Sequence, residues 1–329
     1  MTARPELWTE AHPDGFPAPD GGRVLPAGPH GGDAAAVAAA LGRDPDDVLD
    51  LSVSLNPEAP DVAALAVTRL GALRRYPDVR EATAAMAAAL GTAPERVLLT
   101  NGGSEAIALV CGDLGRAAVA TPGEFSLYSR HLAEVVHPAD APTAPRVRSN
   151  PHNPTGRLAG TGEQAAVWDE AFYPLAAGAW TRSDPEAVVV GSLTKVFACP
   201  GLRAGYVWAP DPGLIERLAA RQPRWALNAL AAALIPELLV RADLPAWQRI
   251  TAERRVALTR AIPGALRSDA NYVLVEVAGG APAARERLAH QGVLVRDCTS
   301  FGLPGHIRVA VPDEAGLRRL VSAWEKAGL

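Results

Sequence analysis

The chain has 329 residues, of which 48% are hydrophobic and 21% charged, with a formal charge of −4 and a pI near 6.0. That length can bury a large core and suits two domains. The acidic balance gives no electrostatic basis for nucleic-acid binding, and basic pairs such as Arg74-Arg75 and Arg254-Arg255 read as solvated helix faces. Three well-separated cysteines, Cys111, Cys199 and Cys298, form no CxxC pair or zinc pattern and fit a reducing compartment. The first residues carry Glu6, Glu10 and Asp14 without an apolar run, and no apolar stretch is long enough to span a bilayer. A soluble cytoplasmic protein is expected.

Residues 1–45 read as an N-terminal arm and first helix: the first 30 residues, rich in Pro, Gly and Asp, are extended, and a helix follows over 33–41 that Asp33 can cap. Alternating apolar and polar residues over 49–55 predict a strand that ends at Asn56-Pro57. Helices over 61–75 and 79–90 are separated by Tyr76-Pro77-Asp78. From residue 97 apolar runs alternate with helical patterns. Strands are predicted over 97–100, 117–120, 147–149, 166–168, 187–192 and 204–208, with helices over 104–114 and 125–135. This alternation predicts a large α/β domain over 46–211, built on a mostly parallel sheet sandwiched by helices. After residue 211 the pattern changes to helices over 214–220, 228–241, 247–261, 282–291 and 314–327, with strands over 273–277, 293–296 and 306–311. That predicts a small C-terminal α+β domain over 212–329.

The chemistry concentrates in a few motifs. Lys195 closes the string Ser192-Leu193-Thr194-Lys195, and Arg203 follows eight residues later within Gly201-Leu202-Arg203-Ala204-Gly205-Tyr206. This joins an amine able to form a Schiff base to a hydroxyl and a guanidinium able to hold a phosphate. Pyridoxal phosphate offers both an aldehyde and a phosphate. Asn101-Gly102-Gly103-Ser104-Glu105 lies between a strand and a helix, where backbone N–H groups and the helix N-terminus favour a phosphate; an ordinary strand–helix turn reads the same way. Asp169 ends a strand and suits either a protonated pyridine nitrogen or a helix cap. Asn150-Pro151-His152-Asn153-Pro154-Thr155-Gly156 makes a tight loop that leaves Asn153 projecting, its amide able to donate to a phenolic oxygen.

Together with Tyr76-Pro77-Asp78, Asp169-Glu170-Ala171-Phe172 and Ile307-Arg308-Val309-Ala310, these pieces stand in one order along the chain. In that order the chain resembles the fold-type I, class I/II aminotransferase family of pyridoxal 5′-phosphate enzymes, from His30 onward. The resemblance implies catalytic roles for Lys195 in the Schiff base and proton shuttle, Asp169 at the pyridine nitrogen and Asn153 at the phenolic oxygen. It places the cofactor phosphate on Gly103, Ser104, Ser192 and Arg203 and the ring against Phe125 and Phe172. It has Tyr76 reach the phosphate from a second subunit, hence a homodimer with shared sites. Arg308 would bind the substrate carboxylate as a bidentate fork, with His30 and Asn56 among the substrate groups.

Further strings narrow the resemblance: His30-Gly31-Gly32, Leu51-Ser52-Val53-Ser54-Leu55-Asn56-Pro57, Phe172 after Asp169-Glu170-Ala171, Gln222 to Asn228, and Arg296 to Leu303. They are similar to the threonine-phosphate decarboxylases of cobalamin synthesis, with the histidinol-phosphate aminotransferases as close kin. The resemblance therefore implies a lyase that removes CO2 from an O-phosphorylated amino acid, with an aminotransferase of the histidinol-phosphate type as the alternative. Both reactions use Lys195, Asp169 and Arg308. The Cα bond held perpendicular to the ring plane is the one that breaks, so rotation about one bond exchanges the two. A phosphorylated substrate needs a second anion site, for which His30, Arg74, Arg157 and Arg296 are candidates. His30 also reads as the end of a flexible arm, and Arg296 as structural or solvent-facing. Segments 128–150 and 156–169 are shorter than in the family, which predicts trimmed strand–helix units, and His152 stands where asparagine is usual.

Overall fold

The computed structural model describes Leu25 and residues 30–119 and 123–329. Apart from Leu25, the expected arm over 1–29 lies outside the described residues. In chain order the first elements are α1 (Ala34–Leu41), β1 (Leu49–Asp50), α2 (Val62–Val67), α3 (Arg80–Leu90), β2 (Val97–Asn101) and α4 (Gly102–Leu114). Then come β3 (Arg116–Ala118), α5 (Ser126–His131), β4 (Glu134–Val136), β5 (Val147–Ser149), β6 (Val167–Asp169), α6 (Tyr173–Ala177), β7 (Val188–Ser192), α7 (Leu193–Val196) and β8 (Ala204–Trp208). The remainder is α8 (Pro212–Arg221), α9 (Ala229–Val240), α10 (Leu244–Ala261), β9 (Tyr272–Glu276), α11 (Ala281–His290), β10 (Val293–Leu294), β11 (Arg296–Asp297), β12 (His306–Ala310) and α12 (Glu314–Lys326).

The central sheet has the order β2-β8-β7-β6-β5. β5, β6 and β7 run parallel, and β8 is antiparallel to both neighbours, so β2 points the same way as the other three. The parallel pair β3–β4 is tied to its edge through a bridge between Ala118 and Arg146. The apolar runs of β7 and β8 are long because both faces are covered, as in a parallel sheet between helix layers. Val189 and Tyr206 face one core with Met86, Leu234 and Trp247, whereas Val190 and Val207 face the other with Ile107, Val110 and Leu218. This is the expected α/β arrangement.

The C-terminal part carries an antiparallel sheet of order β11-β12-β9, whose core is built by Val275, Ile307, Val309, Leu288 and Leu320. β1 pairs in parallel with β10, and Leu51 continues that contact by donating to Leu294 O (2.8 Å) and accepting from Ala310 N–H (3.0 Å). The chain around Leu51 is thus packed onto the C-terminal core.

Several elements differ from the sequence reading. The helix expected over 125–135 stops at His131, because Glu134–Val136 pairs with β3 and the amides of Ala133 and Glu134 both donate to Gly115 O. The strand expected over 49–55 is regular only at Leu49–Asp50; beyond it the Ser52 carbonyl accepts from Arg308 and the Ser52 hydroxyl from Gly32 N–H. Asp33 makes no capping bond to α1 and instead pairs with Arg285 at 2.5 Å. The helix expected over 61–75 is α2 followed by a separate 3-10 segment, Leu70–Arg74. The strand expected over 293–296 is split between β10 and β11, which join different sheets.

The connection from β5 to the parallel β6, residues 150–166, contains turns and no helix, although such crossovers are usually helical. Trp168 is nevertheless fully buried on that side, with the guanidinium groups of Arg148 and Arg182 at 5.7 and 4.6 Å from its ring centroid. Cationic side chains cover an aromatic face that a helix would otherwise shield. Among the described residues no helix is long and apolar enough to cross a membrane.

Candidate active site

Ligands of open α/β sheets sit beyond the carboxyl ends of parallel strands. Here β2, β6 and β7 end at Asn101, Asp169 and Ser192, and the antiparallel β8 begins beside them, just after Arg203. A single cavity opens at these ends and is lined by Lys195, Asp169, Asn153 and Arg203.

Part of the cavity wall is a cationic cradle. The chain leaves β2 through Gly102, whose φ of +77° is a conformation glycine tolerates. A Cβ there would lie 2.5 Å from Arg203 Nη2, and a Cβ on Gly205 would lie 2.5 Å from the Gly102 carbonyl carbon. The absent side chains let Arg203 and the first turn of α4 share one spot, with Gly103 and Ser104 on the cavity wall. The helix end and the guanidinium both favour an anion there. Ser192 is buried just behind, its Cβ 3.3 Å from the place a Gly103 Cβ would take.

Lys195 stands on the single turn α7, whose backbone is held from below. Asn56 N–H donates to Lys195 O (3.0 Å) and Asn56 Nδ2 donates to Val196 O (2.9 Å). Asn56, expected among the substrate groups, is therefore outside the cavity wall and fixes the lysine's backbone. Burial, with Arg308 and Arg203 nearby, pushes the Lys195 amine down to about 8, and Asp50 offsets this only in part.

Asp169 is held by Tyr128, whose hydroxyl donates to Oδ2 (2.8 Å), and by Ala171 N–H, which donates to Oδ1 (3.0 Å). Burial raises its carboxyl above the ordinary range, and those two donors oppose the rise. Tyr128 was not among the residues singled out from the sequence. It lies three positions after Phe125, a helical spacing that puts both on one face, and the rings meet edge-on at 6.0 Å.

The cavity wall also carries two further arginines. Arg308 and Arg296 are direct cross-strand partners on β12 and β11, both buried and both on the cavity wall. Arg308 Nη1 donates to Asn153 Oδ1 (2.5 Å) and Nη2 to Ser52 O (3.1 Å), while Tyr272 and Phe172 present their rings at 4.7 and 5.8 Å. Its Nε is buried without a partner among the described residues. Arg296 donates to Ser300 Oγ (2.8 Å), and burial beside Arg308 brings it down to about 10. Arg296 is thus not the solvent-facing side chain that the sequence allowed. Its position in the strand put it on the same face as Arg308, but only the register reveals that.

His30 lines the cavity and meets Phe125 edge-on at 5.3 Å, and Phe125 and Phe172 themselves line it. Gly31 and Gly32 are pressed against Ser52: Gly32 N–H donates to Ser52 Oγ (3.0 Å), and a Cβ on Gly31 would sit 2.6 Å from Ser52 O. Ser52 acts through its carbonyl, which no side-chain pattern discloses. Of the other expected anion ligands, Arg74 and Arg157 do not line the cavity. Tyr76 is also outside it, 75% exposed and stacked on Trp225 at 4.2 Å.

Residues 147–323 match the family model for aminotransferase class I and II. The chain belongs to that family. It is 29% identical to the threonine-phosphate decarboxylase of Salmonella typhimurium, over 89% of this chain and 95% of that protein. It is 31% identical to the histidinol-phosphate aminotransferase of Halorubrum lacusprofundi, over 87% of this chain and 90% of that protein. Among solved structures it resembles the histidinol-phosphate aminotransferase of Sinorhizobium meliloti in complex with pyridoxal-5′-phosphate, with a TM-score of 0.74 and 19% identity, covering 89% and 93% of the two chains. It also resembles the L-threonine-O-3-phosphate decarboxylase of Porphyromonas gingivalis, with a TM-score of 0.70 and 22% identity over 84% and 98%. The fold is the fold-type I arrangement of the class I and II enzymes.

Proposed function

We propose that this chain is a pyridoxal 5′-phosphate-dependent lyase that decarboxylates an O-phosphorylated amino acid. The observation that carries the reading is one cavity whose wall brings together the Lys195 amine, the buried Asp169 carboxyl, the Arg203 cradle and the Arg296–Arg308 pair.

The residues fit the cofactor. The Gly102–Gly103–Ser104 turn and Arg203 form a cradle too tight for any side chain at Gly102 or Gly205, as a phosphate site at a helix start requires. Bound there, the cofactor supplies an electron sink for the breaking Cα bond. Lys195, lowered to about 8, carries a sizeable uncharged fraction near neutral pH and is the nucleophile toward the aldehyde. Asp169, buried and doubly hydrogen-bonded, would pair with the ring nitrogen, whose positive charge favours the ionised carboxyl. Asn153 gives its Oδ1 to Arg308, which leaves its NH2 group to donate to the phenolic oxygen. Phe125 and Phe172 flank the ring.

Arg308 takes the substrate carboxylate, and Arg296 with His30 takes the substrate phosphate. Arg308 keeps a buried Nε unpartnered among the described residues, and Arg296 across the ladder adds a second positive charge, which suits an anionic substrate. The direction in which Arg308 holds the carboxylate decides which Cα bond stands perpendicular to the ring. The 29% relative that acts on threonine phosphate, matched over most of both chains, supports loss of CO2. The second reading, transamination of a phosphorylated amine, is favoured by the 31% relative.

The protein acts as a cytoplasmic homodimer. Val67, Leu70, Leu73, Tyr76 and Trp225 are exposed apolar side chains, which supports a covering second copy, and Tyr76 would reach that copy's phosphate cradle as the resemblance implies. Its units are a large cofactor domain over 46–211 and a small domain over 212–329, with residues around Leu51 lying against the latter. Incubation of the cofactor-loaded protein with L-threonine O-3-phosphate tests the activity. Release of CO2 with aminopropanol phosphate supports the lyase. A keto acid formed only with an added amino acceptor supports the aminotransferase.

A further inference from the structure

Glu124 is a buried carboxylate with no role in the site as described. It precedes α5, next to the cavity residue Phe125, and is 4% exposed. Its only hydrogen bonds among the described residues come from one residue: Ser149 donates to Oε2 from Oγ (2.7 Å) and from its N–H (3.3 Å). The Arg148 guanidinium and the His152 ring approach without closing on it, with Nε at 4.0 Å and Nε2 at 3.8 Å from Oε1. A carboxylate buried this way is expensive and calls for a reason.

The bonds lead toward Arg308 on the cavity wall. Ser149 Oγ also accepts from Asn153 N–H (2.9 Å), and Asn153 Oδ1 accepts from Arg308 Nη1 (2.5 Å). All four residues are buried, so no water shell masks the connection. We propose that Glu124 is a positioning residue for the carboxylate clamp, acting through the Ser149 hydroxyl on Asn153 and so on Arg308. The inference rests on the reading of Arg308 as the group that binds the substrate carboxylate.

The proton inventory explains how it works. Ionised Glu124 can only accept, so the Ser149 hydroxyl proton points at it and an oxygen lone pair faces Asn153 N–H. Neutral Glu124 can donate to Ser149 Oγ instead. The hydroxyl proton then loses the acceptor that fixed its rotation, so the lone pair facing Asn153 N–H is held less firmly and the loop loosens. Burial pushes Glu124 up to about 7, so both forms are populated near neutrality. The groups facing it are Arg148 on β5, His152 on the loop, Asp169 on β6, Tyr128 on α5 and Tyr272 on β9. Burial lowers His152 below its ordinary value and raises both tyrosines; the Asp169 carboxyl is raised as well, so the comparison with Glu124→Gln is what isolates Glu124.

The test is the dissociation constant of 3-phosphonopropionate, an unreactive carboxylate and phosphonate, for the cofactor-loaded protein, measured by calorimetry from pH 6 to 8. Wild type, Glu124→Gln and Ser149→Ala are compared at each pH, so titration of the probe cancels. Gln can accept from Ser149 but gains no proton. Wild type should tighten three- to tenfold more than Glu124→Gln as the pH rises, and Ser149→Ala should bind roughly tenfold more weakly than wild type at pH 8. A Glu124→Gln profile identical to wild type, or Ser149→Ala binding with wild-type affinity, overturns the proposal. If Glu124→Gln does not fold, the Ser149→Ala result decides alone. Failure of the underlying site reading is separate: Arg308→Met would then leave the affinity unchanged at every pH.

Discussion

At the scale of single residues, the site is a set of charges kept away from water. Lys195 is the clearest case, with burial and two arginines holding its amine down to about 8 from an ordinary value near 10.5. For a base lowered on folding, the cost is fully present below the folded value and disappears as pH rises through the unfolded one. Lys195→Met should therefore stabilise the cofactor-free protein by about 1–3 kcal/mol at pH 7, with the difference vanishing above about pH 10.5. Chemical denaturation at both pH values measures this. The same shift makes cofactor capture pH-dependent. Its rate in the cofactor-free protein should rise about tenfold per pH unit below 8 and level off above, because the uncharged amine is the reactive form; stopped-flow absorbance checks it.

At the scale of elements, glycines set the distance between β8 and the first turn of α4. A Cβ at Gly205 would meet the Gly102 carbonyl carbon at 2.5 Å and Gly103 N at 2.6 Å, both backbone atoms that no rotamer change can move. Gly205→Ala should lower stability by about 1–3 kcal/mol and weaken cofactor affinity at least tenfold, read from thermal melts and cofactor titration. Elements with a local cause were legible in the sequence. The runs at Val188–Ser192 and Ala204–Trp208 are apolar because both faces are covered, and Asn228 caps α9 by accepting from Ala231 N–H. β4 was read as the end of a helix because its cause is the pairing with β3, which no local pattern carries. Arg296 was misjudged for a similar reason: its partner across the ladder, Arg308, is twelve positions away, and its burial follows from the register alone.

At the scale of the whole molecule, motif order along the chain was enough to assemble Lys195, Asp169, Asn153, Arg203 and Arg308 around one cavity. What escaped was contact made by backbone or by buried relays, namely Ser52 O, Tyr128 and Glu124, since their partners are distant in sequence. The surface raises a second whole-molecule question. Leu73 and Tyr76 are 60% and 75% exposed beside Trp225. If a second copy covers these side chains, Leu73→Asp should shift the sedimentation pattern from dimer to monomer and weaken cofactor binding, since Tyr76 then contributes nothing. A wild-type monomer with full cofactor affinity would contradict the shared-site arrangement. The central claim is tested most directly by reducing the cofactor-loaded protein with borohydride and mapping the phosphopyridoxyl group by peptide mass spectrometry. The chain has two lysines, Lys195 in the cavity wall and Lys326 exposed on α12, so the answer is binary. The label should be found on the peptide containing Lys195 and disappear in Lys195→Ala. A label on Lys326, or none while the bound cofactor still absorbs visible light, would contradict the account.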